Sequence, residues 1–311
     1  MNIVFLDRKT IGDDINLSDF YKLGNVKEYG FTRECEVSER IKDAEVIVIN
    51  KIPINKNTVG DAKNLKLVCV TATGTNNLDK EYLKKQQIAW RNVAGYSTES
   101  VAQHTFAMYF YLQEHLRYYD DYVKSGKYIN DTLFTHFDKR FTLLEGKTWG
   151  IIGLGAIGRR VADIATFFGA NVIYYSASGR QPQDGYHQTD FDTLLKSSDI
   201  ISIHAPLNQY TENLIDYAAL SKMKRSAILL NLGRGPIINE RDLALALNEN
   251  LISLAGLDVL EVEPMSPDCH LLDVKDKNRL LITPHIGWAS LESRTNLMNT
   301  IAGQIREFFS L

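Results

Sequence analysis

The segment that most constrains this chain reads Gly153-Leu154-Gly155-Ala156-Ile157-Gly158. An apolar run at 149–152 precedes it and a helical pattern of apolar residues follows it, so the glycines stand between a buried strand and a helix. In that context the first glycine permits a tight turn, the second lets backbone approach a pyrophosphate, and the third lets the helix pack on the strand. The helix N-terminus offers unpaired N–H groups to phosphates. The segment therefore predicts a dinucleotide-binding domain.

Short apolar runs and helical patterns alternate along the whole chain, which is typical of a parallel α/β architecture. A length of 311 residues predicts about two domains, and the patterns place their boundary near residue 98. The predicted strands are 3–7, 45–50, 67–71, 88–93, 148–153, 171–176, 199–205, 227–232, 253–259 and 280–283. The predicted helices include 98–119, 240–250 with Asn239 as N-cap, and 291–311, while 120–147 is interpreted as a connection. Ser100 and Gln103 have capping-box spacing, which leaves the start of the first of these helices open.

Composition excludes several classes of protein. The 35 basic and 38 acidic residues give a net charge of −3, so we expect no nucleic-acid or anionic-membrane partner. The three cysteines form no C-x-x-C pair, which indicates a reducing compartment, no disulfide framework and no metal site of the cysteine-rich kind. An acid at residue 7 interrupts any signal-peptide core, and no apolar run reaches the roughly 18 residues of a spanning helix. We expect a cytoplasmic protein.

The fingerprint expects an acid at the end of the next strand, where it would bind the adenosine ribose of NAD. Ser176 stands at that position, and Ser178 and Arg180 follow it. A carboxylate would repel the 2′-phosphate of NADP, whereas serine would not, and Arg180 could pair with it. The sequence therefore predicts NAD and leaves NADP open, as it leaves open that Arg180 is a solvated loop residue.

Three later segments carry polar side chains just beyond predicted strands, at the sheet edge where ligands bind. Arg234 lies between two glycines, and its planar fork suits a carboxylate. Glu261 and Glu263 follow the strand at 253–259, and spacing does not choose between them. His285 follows Pro284, and a histidine, with an ordinary pKa of about 6.5, suits proton exchange at neutral pH. Among the other histidines we keep only His104 as a residue at the edge of the site.

The ordered set of segments resembles the D-isomer-specific 2-hydroxyacid dehydrogenase family over nearly the whole chain. The resemblance rests on Gly153–Gly158, His204-Ala205-Pro206-Leu207, Asn231–Gly235, Gly256–Val259 with Glu263-Pro264, and Pro284–Gly287. It implies that Arg234 binds the substrate carboxylate and polarises the carbonyl, that His285 is the acid/base, and that Glu263 is its partner. It also implies that backbone N–H groups of Thr73 and Gly74 bind the substrate carboxylate. We expect the cofactor to contact Gly153, Gly155, Ala156, Ile157, Gly158, Ser176, Arg180, Ala205, Pro206, Leu232, Gly233, Asp258 and Thr105.

The same resemblance implies two Rossmann-like parallel-sheet domains with a cleft between them. The substrate domain would comprise residues 1–98 plus 287–311, and the dinucleotide-binding domain residues 99–286. Family members are typically homodimers, with the helix at 98–119 near the interface. The run from Gly95 to Thr105 is similar to the glycerate dehydrogenase (hydroxypyruvate reductase) branch.

These expectations give one hypothesis for function. The chain would reduce a small 2-keto acid, hydroxypyruvate or glyoxylate, to the D-2-hydroxy acid with a nicotinamide cofactor. The alternative is a cofactor-binding interaction protein of the corepressor type, against which the intact set of Arg234, Glu263 and His285 weighs. Formate oxidation is disfavoured, because in enzymes of that kind the residue that partners the histidine is typically a glutamine, whereas Glu263 of this chain is a carboxylate.

Overall fold

Two parallel sheets organise the chain, whose residues 1–179 and 185–311 are described by the computed structural model. One compact unit is Met1–Ser97 with Trp288–Leu311, and the other is Thr98–Gly287. The prediction of two parallel-sheet α/β domains is confirmed. Over the part of the chain that is described, no helix is both long enough and apolar enough to cross a membrane.

The first unit is built on a parallel sheet with the strand order β2-β1-β3-β4-β5. Its strands are β1 (Asn2–Phe5), β2 (Asn25–Glu28), β3 (Val46–Ile49), β4 (Leu67–Val70) and β5 (Ala89–Arg91). Its helices are α1 (Ser18–Tyr21), α2 (Val37–Arg40), α3 (Lys56–Val59), α4 (Lys80–Lys85) and the last helix of the chain, α11 (Leu291–Phe309). The central strands β3 and β4 are buried throughout, as expected for strands covered on both faces.

Helices cover both faces of this sheet. On one face, Leu297, Ile301 and Ile305 of α11 pack with residues of β1, β3 and β4. On the other face, side chains of α2, α3 and α4 pack against the alternate residues of the same strands. The C-terminal helix therefore completes the core of the N-terminal unit.

The second unit has a larger parallel sheet with the order β12-β11-β10-β9-β6-β7-β8. Its strands are β6 (Thr148–Ile152), β7 (Asn171–Tyr175), β8 (His187–Gln188), β9 (Ile200–Ile203), β10 (Ile228–Asn231), β11 (Leu254–Leu257) and β12 (Leu280–Ile282). Its helices are α5 (Thr98–Gln113), α6 (Leu116–Lys124), α7 (Ala156–Phe167), α8 (Phe191–Ser197), α9 (Tyr217–Lys222) and α10 (Glu240–Asn248). Asn239 caps α10, as predicted, by accepting the N–H of Asp242 at 3.1 Å.

The structure corrects the expected helix at 98–119. Helix α5 ends at Gln113, His115 adopts a left-handed conformation with φ of 52°, and α6 continues to Lys124 inside the segment interpreted as a connection. A left-handed residue cannot continue a right-handed helix, so the chain changes direction there. The helix begins at Thr98, and the hydroxyl of Ser100 donates to the carbonyl of Gly287 instead of capping.

Strands β2 and β8 were not among the predicted strands. Strand β2 reads Asn-Val-Lys-Glu and lies at the sheet edge, where only Val26 is partly buried. Strand β8 has two residues and also lies at an edge. Edge strands need little apolar surface, so hydrophobic pattern does not reveal them.

Both ring nitrogens of His204, directly after β9, are buried. Neither ring nitrogen has a hydrogen-bond partner within the described residues. Burial lowers the pKa of His204 to about 3. The imidazole is therefore neutral in the folded protein at any pH near neutrality.

This burial predicts acid sensitivity. Below its ordinary pKa the unfolded chain binds a proton at His204 that the folded chain does not bind, so stability falls as pH falls from about 6.5 towards 3. Between about pH 7 and about pH 5 we expect the protonation of His204 in the unfolded chain to lower the free energy of unfolding by about 2 kcal/mol. We expect H204Q to lose that part of the pH dependence in urea unfolding curves. H187Q, which changes an exposed histidine, should keep the wild-type dependence; parallel curves for wild type and H204Q would contradict the prediction.

Candidate active site

The carboxyl edge of the second sheet gathers the ends of three neighbouring strands, β10, β11 and β12. Their register pairs Asn231 with Leu257 and Leu257 with Ile282. Because parallel strands end on the same edge, the loops that carry Arg234, Glu263 and His285 leave the sheet side by side.

The turn after β10 presents Arg234. The buried side chain of Asn231 shapes this turn: its amide donates to the carbonyl of Arg234 at 2.9 Å, and its oxygen accepts the N–H of Gly233 at 3.0 Å. The half-buried Arg234 guanidinium donates to the carbonyl of Gly233 at 2.7 Å. Within residues 1–179 and 185–311 it has no acidic partner at ion-pair distance. Its remaining N–H groups can bind a planar anion.

The loops after β11 and β12 bring an acid and a histidine together. Nδ1 of His285 lies 2.8 Å from Oε2 of Glu263, and both side chains are partly exposed. An ionised carboxylate only accepts, so Nδ1 of His285 carries the hydrogen of this bond and Nε2 takes no part in it. The other Glu263 oxygen accepts the N–H of Leu260 at 3.1 Å, which fixes the carboxylate. Of the two acids that spacing left open, Glu263 is the one placed on His285.

Asp258 holds the backbone that follows His285. Its carboxylate accepts the N–H groups of Ile286 at 2.9 Å and Gly287 at 2.8 Å, and the hydroxyl of Thr283 at 2.6 Å. Burial acts to raise the pKa of Asp258, but hydrogen bonds from His104, Thr283 and these two amides outweigh it, and the pKa lies below its usual value. The side chain is therefore an ionised clamp on the histidine loop.

His104 joins the same cluster from α5. Its Nε2 lies 3.1 Å from the hydroxyl oxygen of Thr283 and 3.4 Å from Oδ1 of Asp258. Since the Thr283 hydroxyl donates to Asp258, its oxygen is free to accept from the imidazole. His104 thus contacts the clamp that supports the His285 loop.

The glycine segment has the geometry that a pyrophosphate requires. Gly153 has φ of +95°, and a Cβ there would lie 2.8 Å from the backbone of Ala205. Gly155 precedes α7 without a capping side chain, and nothing lies within 4 Å of a Cβ built on it. A Cβ on Gly158 would lie 2.2 Å from the carbonyl oxygen of Gly153. The space beside Gly155, at the N-terminus of α7, is therefore open, and these residues fit the pyrophosphate of a dinucleotide.

The other expected cofactor residues differ in exposure. Ser176 follows β7 and lies 3.3 Å from Ser178, hydroxyl to hydroxyl, while Arg180 lies outside the described residues. Thr105 is fully buried and its hydroxyl donates to the carbonyl of Val101, so it contributes packing within α5. Of four further residues expected to contact the cofactor, Ala205, Leu232 and Gly233 are buried and Pro206 is exposed.

Thr73 and Gly74 belong to the first unit, in the loop after β4. The Thr73 hydroxyl donates to the carbonyl of Val93 at 3.0 Å, and the Asn92 amide donates to the carbonyl of Thr73 at 2.7 Å. These bonds fix the loop at the carboxyl edge of the first sheet.

Three residues that hydrogen-bond to the loops of the site were not singled out from the sequence. Asn231 is the first residue of the segment Asn231–Gly235, and Thr283 directly precedes the segment Pro284–Gly287, so the available signal was an amide or hydroxyl beside the functional residue. Glu240 accepts hydrogen bonds from the loop that carries Glu263. No sequence signal marked Glu240, since an acid in the first turn of a helix is ordinary.

The chain is similar to known proteins over most of its length. Residues 106–287 match the family described as D-isomer specific 2-hydroxyacid dehydrogenase, NAD binding domain. The chain is 36% identical over 307 residues to a glycerate dehydrogenase of Methylorubrum extorquens, covering 98% of this chain and 95% of that one. It is 34% identical over 314 residues to a hydroxypyruvate reductase of Blautia hydrogenotrophica, covering 99% and 97%.

Among solved structures, a D-lactate dehydrogenase of Aquifex aeolicus complexed with NAD and lactic acid superposes with a TM-score of 0.86. The identity is 28%, and the match covers 99% of this chain and 96% of that one. The likeness extends over both units.

Proposed function

Because this chain belongs to the D-isomer-specific 2-hydroxyacid dehydrogenase family and is a nicotinamide-dependent oxidoreductase of 2-hydroxy acids, we propose that it reduces hydroxypyruvate or glyoxylate to the D-2-hydroxy acid. The relatives named as glycerate dehydrogenase and hydroxypyruvate reductase support this choice of substrate. The observation that carries it is the 2.8 Å pair of His285 and Glu263, which lie in the loops after β12 and β11, next to the loop after β10 that carries Arg234.

Each side chain has a separate task. Arg234 binds the carboxylate of the keto acid with its paired N–H groups and polarises the carbonyl oxygen. His285 donates the proton on Nε2 to that oxygen as the alcohol forms, and Glu263 keeps the other ring hydrogen in place. Amides of Thr73 and Gly74 are our candidates for a second contact to the carboxylate.

The residues that would hold the cofactor are the Gly153–Gly158 turn, Ala205, Pro206, Leu232 and Gly233, with Asp258 a candidate for the nicotinamide amide. Reduced nicotinamide, when bound, supplies the hydride to C2 of the keto acid. The described residues supply orientation and the proton.

Substitution of Arg234 tests this assignment. R234A should lose roughly 2–5 kcal/mol of transition-state stabilisation, because a charge-assisted contact to the substrate disappears. R234K keeps the charge but not the planar fork, so we expect an intermediate loss. H285A should abolish turnover. The measurement is kcat/KM for hydroxypyruvate and glyoxylate from NADH oxidation.

R225A, at an exposed arginine outside the site, provides the matched control and should behave as wild type. Near-wild-type turnover of R234A would refute the role of Arg234. Cofactor binding by wild type without turnover of any 2-keto acid would refute the proposed substrates.

We further propose that the enzyme accepts NADPH as well as NADH. Ser176 stands at the end of β7, where a carboxylate would repel a 2′-phosphate, and its hydroxyl lies beside that of Ser178. Two neighbouring hydroxyls can donate to either a ribose hydroxyl or a phosphate.

Replacing Ser176 with aspartate should reverse this tolerance. S176D should lower kcat/KM with NADPH by at least about tenfold through charge repulsion, while activity with NADH is retained. S176A, which stays neutral, is the control and should change the NADPH-to-NADH ratio little. Wild type without activity on NADPH would contradict the proposal.

A homodimer is the assembly we propose. The segment 128–143 exposes a series of large apolar side chains: Ile129, Leu133, Phe134, Phe137, Phe141 and Leu143. It is fixed on α6 because the Tyr118 hydroxyl lies 2.8 Å from Nε2 of His136, whose ring stacks on Tyr122 at 3.8 Å. Apolar surface of this kind marks interaction sites, and a second copy of the chain offers a matching surface.

The double variant F134S/F137S should therefore sediment as a monomer under conditions in which wild type has twice the mass of one chain. F31S, which removes an exposed phenylalanine of the first unit, should not change the mass. A wild-type monomer at high concentration would rule the dimer out.

The free thiols bear on location. All three cysteines, Cys35, Cys69 and Cys269, are unpaired, and Cys35 is exposed. Because such thiols persist in a reducing compartment, we propose the cytoplasm.

A further inference from the structure

We propose that Glu240 is a positioning residue that keeps Glu263 on His285, an inference that rests on the proposed function. Glu240 is the first residue of α10, and the loop it contacts, Leu260–Pro264, is called the acid loop below. Neither the motifs nor the comparisons assign this residue a task.

The Glu240 carboxylate is buried, with 8% of the residue exposed. Oε1 accepts the N–H of Glu261 at 2.7 Å, and Oε2 accepts the thiol hydrogen of Cys269 at 3.2 Å. Burial, and with it the Glu240 carboxylate, raises the pKa of the Cys269 thiol, so the sulfur is protonated and donates. A buried carboxylate is costly unless it is hydrogen-bonded, and both donors lie on or after the acid loop.

The peptide between Leu260 and Glu261, whose N–H binds Glu240, also contacts Gly235. A Cβ built on Gly235 would lie 1.9 Å from the carbonyl of Leu260 and 2.4 Å from the nitrogen of Glu261. The Leu260–Glu261 peptide therefore lies flat on Gly235, next to Arg234, while Glu240 accepts its N–H. The turn that presents Arg234 and the acid loop are fixed against one another through this peptide.

The fixed peptide leads directly to Glu263. The N–H of Leu260 donates to Oε1 of Glu263, whose Oε2 accepts from His285. Release of the Glu261 N–H would free the peptide next to this bond, and the carboxylate would lose its orientation towards the imidazole. A misplacement of about 1 Å at such a site costs roughly a hundredfold in rate.

A purely helical role does not account for these contacts. Acids near a helix N-terminus interact favourably with its dipole even when exposed. Asp242 is a second acid in the first turn of α10, and its carboxylate accepts the N–H of Tyr217 at 2.9 Å, away from the acid loop. Glu240 is instead turned inward onto the loop, and Asp242 provides a matched control.

The test uses the full-length enzyme with E240A, E240Q and D242A. E240A should lower kcat for hydroxypyruvate about tenfold to a hundredfold, with the Kd for NADH within about twofold of wild type, because the change lies in the acid/base pair. E240Q keeps an acceptor for the Glu261 N–H and should restore most of kcat. If E240A does not fold, E240D replaces it: the side chain is one methylene too short to reach, and we expect a smaller loss of the same kind.

Hydrogen–deuterium exchange measures the positioning without turnover. Amides of the acid loop should exchange faster in E240A than in wild type and should be unchanged in D242A. Unchanged exchange in E240A would overturn the proposal, whether or not the enzyme acts on hydroxypyruvate. Absence of turnover by wild type would instead overturn the proposed function.

A double-variant cycle separates positioning from general stability. If Glu240 acts through Glu263, then E240A/E263Q should be no less active than E263Q, since the partner is already lost. Losses that multiply in the double variant would show that Glu240 acts independently of Glu263 and would refute the inference.

Discussion

Parallel pairing of β10, β11 and β12 is the constraint on which the site depends. The register that aligns Asn231, Leu257 and Ile282 brings the following loops to one edge in a fixed order. A slip of one residue would turn buried side chains of these strands to the opposite face. The position of Arg234 relative to the loops of Glu263 and His285 is thus set by the pairing and burial of these strands.

Buried carboxylates fix the conformation of the loops that these strands bring together. Asp258 accepts two backbone N–H groups from the His285 loop, and Glu240 accepts one from the acid loop. The first unit uses the same device: buried Asp7 accepts the N–H groups of Asn50 and Lys51 after β3. Loops carry exposed backbone and are the most mobile parts of a fold. An inward-facing acid gives them a defined conformation at a site where the functional side chains must stay partly exposed.

The sequence allowed the prediction of features that rest on local chemistry. The glycine turn, the apolar strands and the cap at Asn239 each follow from one segment and need no knowledge of distant residues. The left-handed residue at His115 has no glycine to signal it, and edge strand β2 carries too little apolar surface to show a pattern. Glu240 is a third case, because its hydrogen bonds are to a segment about 20 residues or more away that only folding brings to it.

His285 shows how such support serves chemistry. It has φ of +55°, a conformation that few residues other than glycine adopt and that costs of order 1–3 kcal/mol. Glycine would relieve the strain but has no imidazole, so the strain must be offset by its neighbours. The N–H of His285 donates to the carbonyl of Thr283 across Pro284, and the next two amides bind Asp258. These bonds on both sides of His285 fix its backbone in the conformation in which Nδ1 of the ring lies 2.8 Å from Oε2 of Glu263.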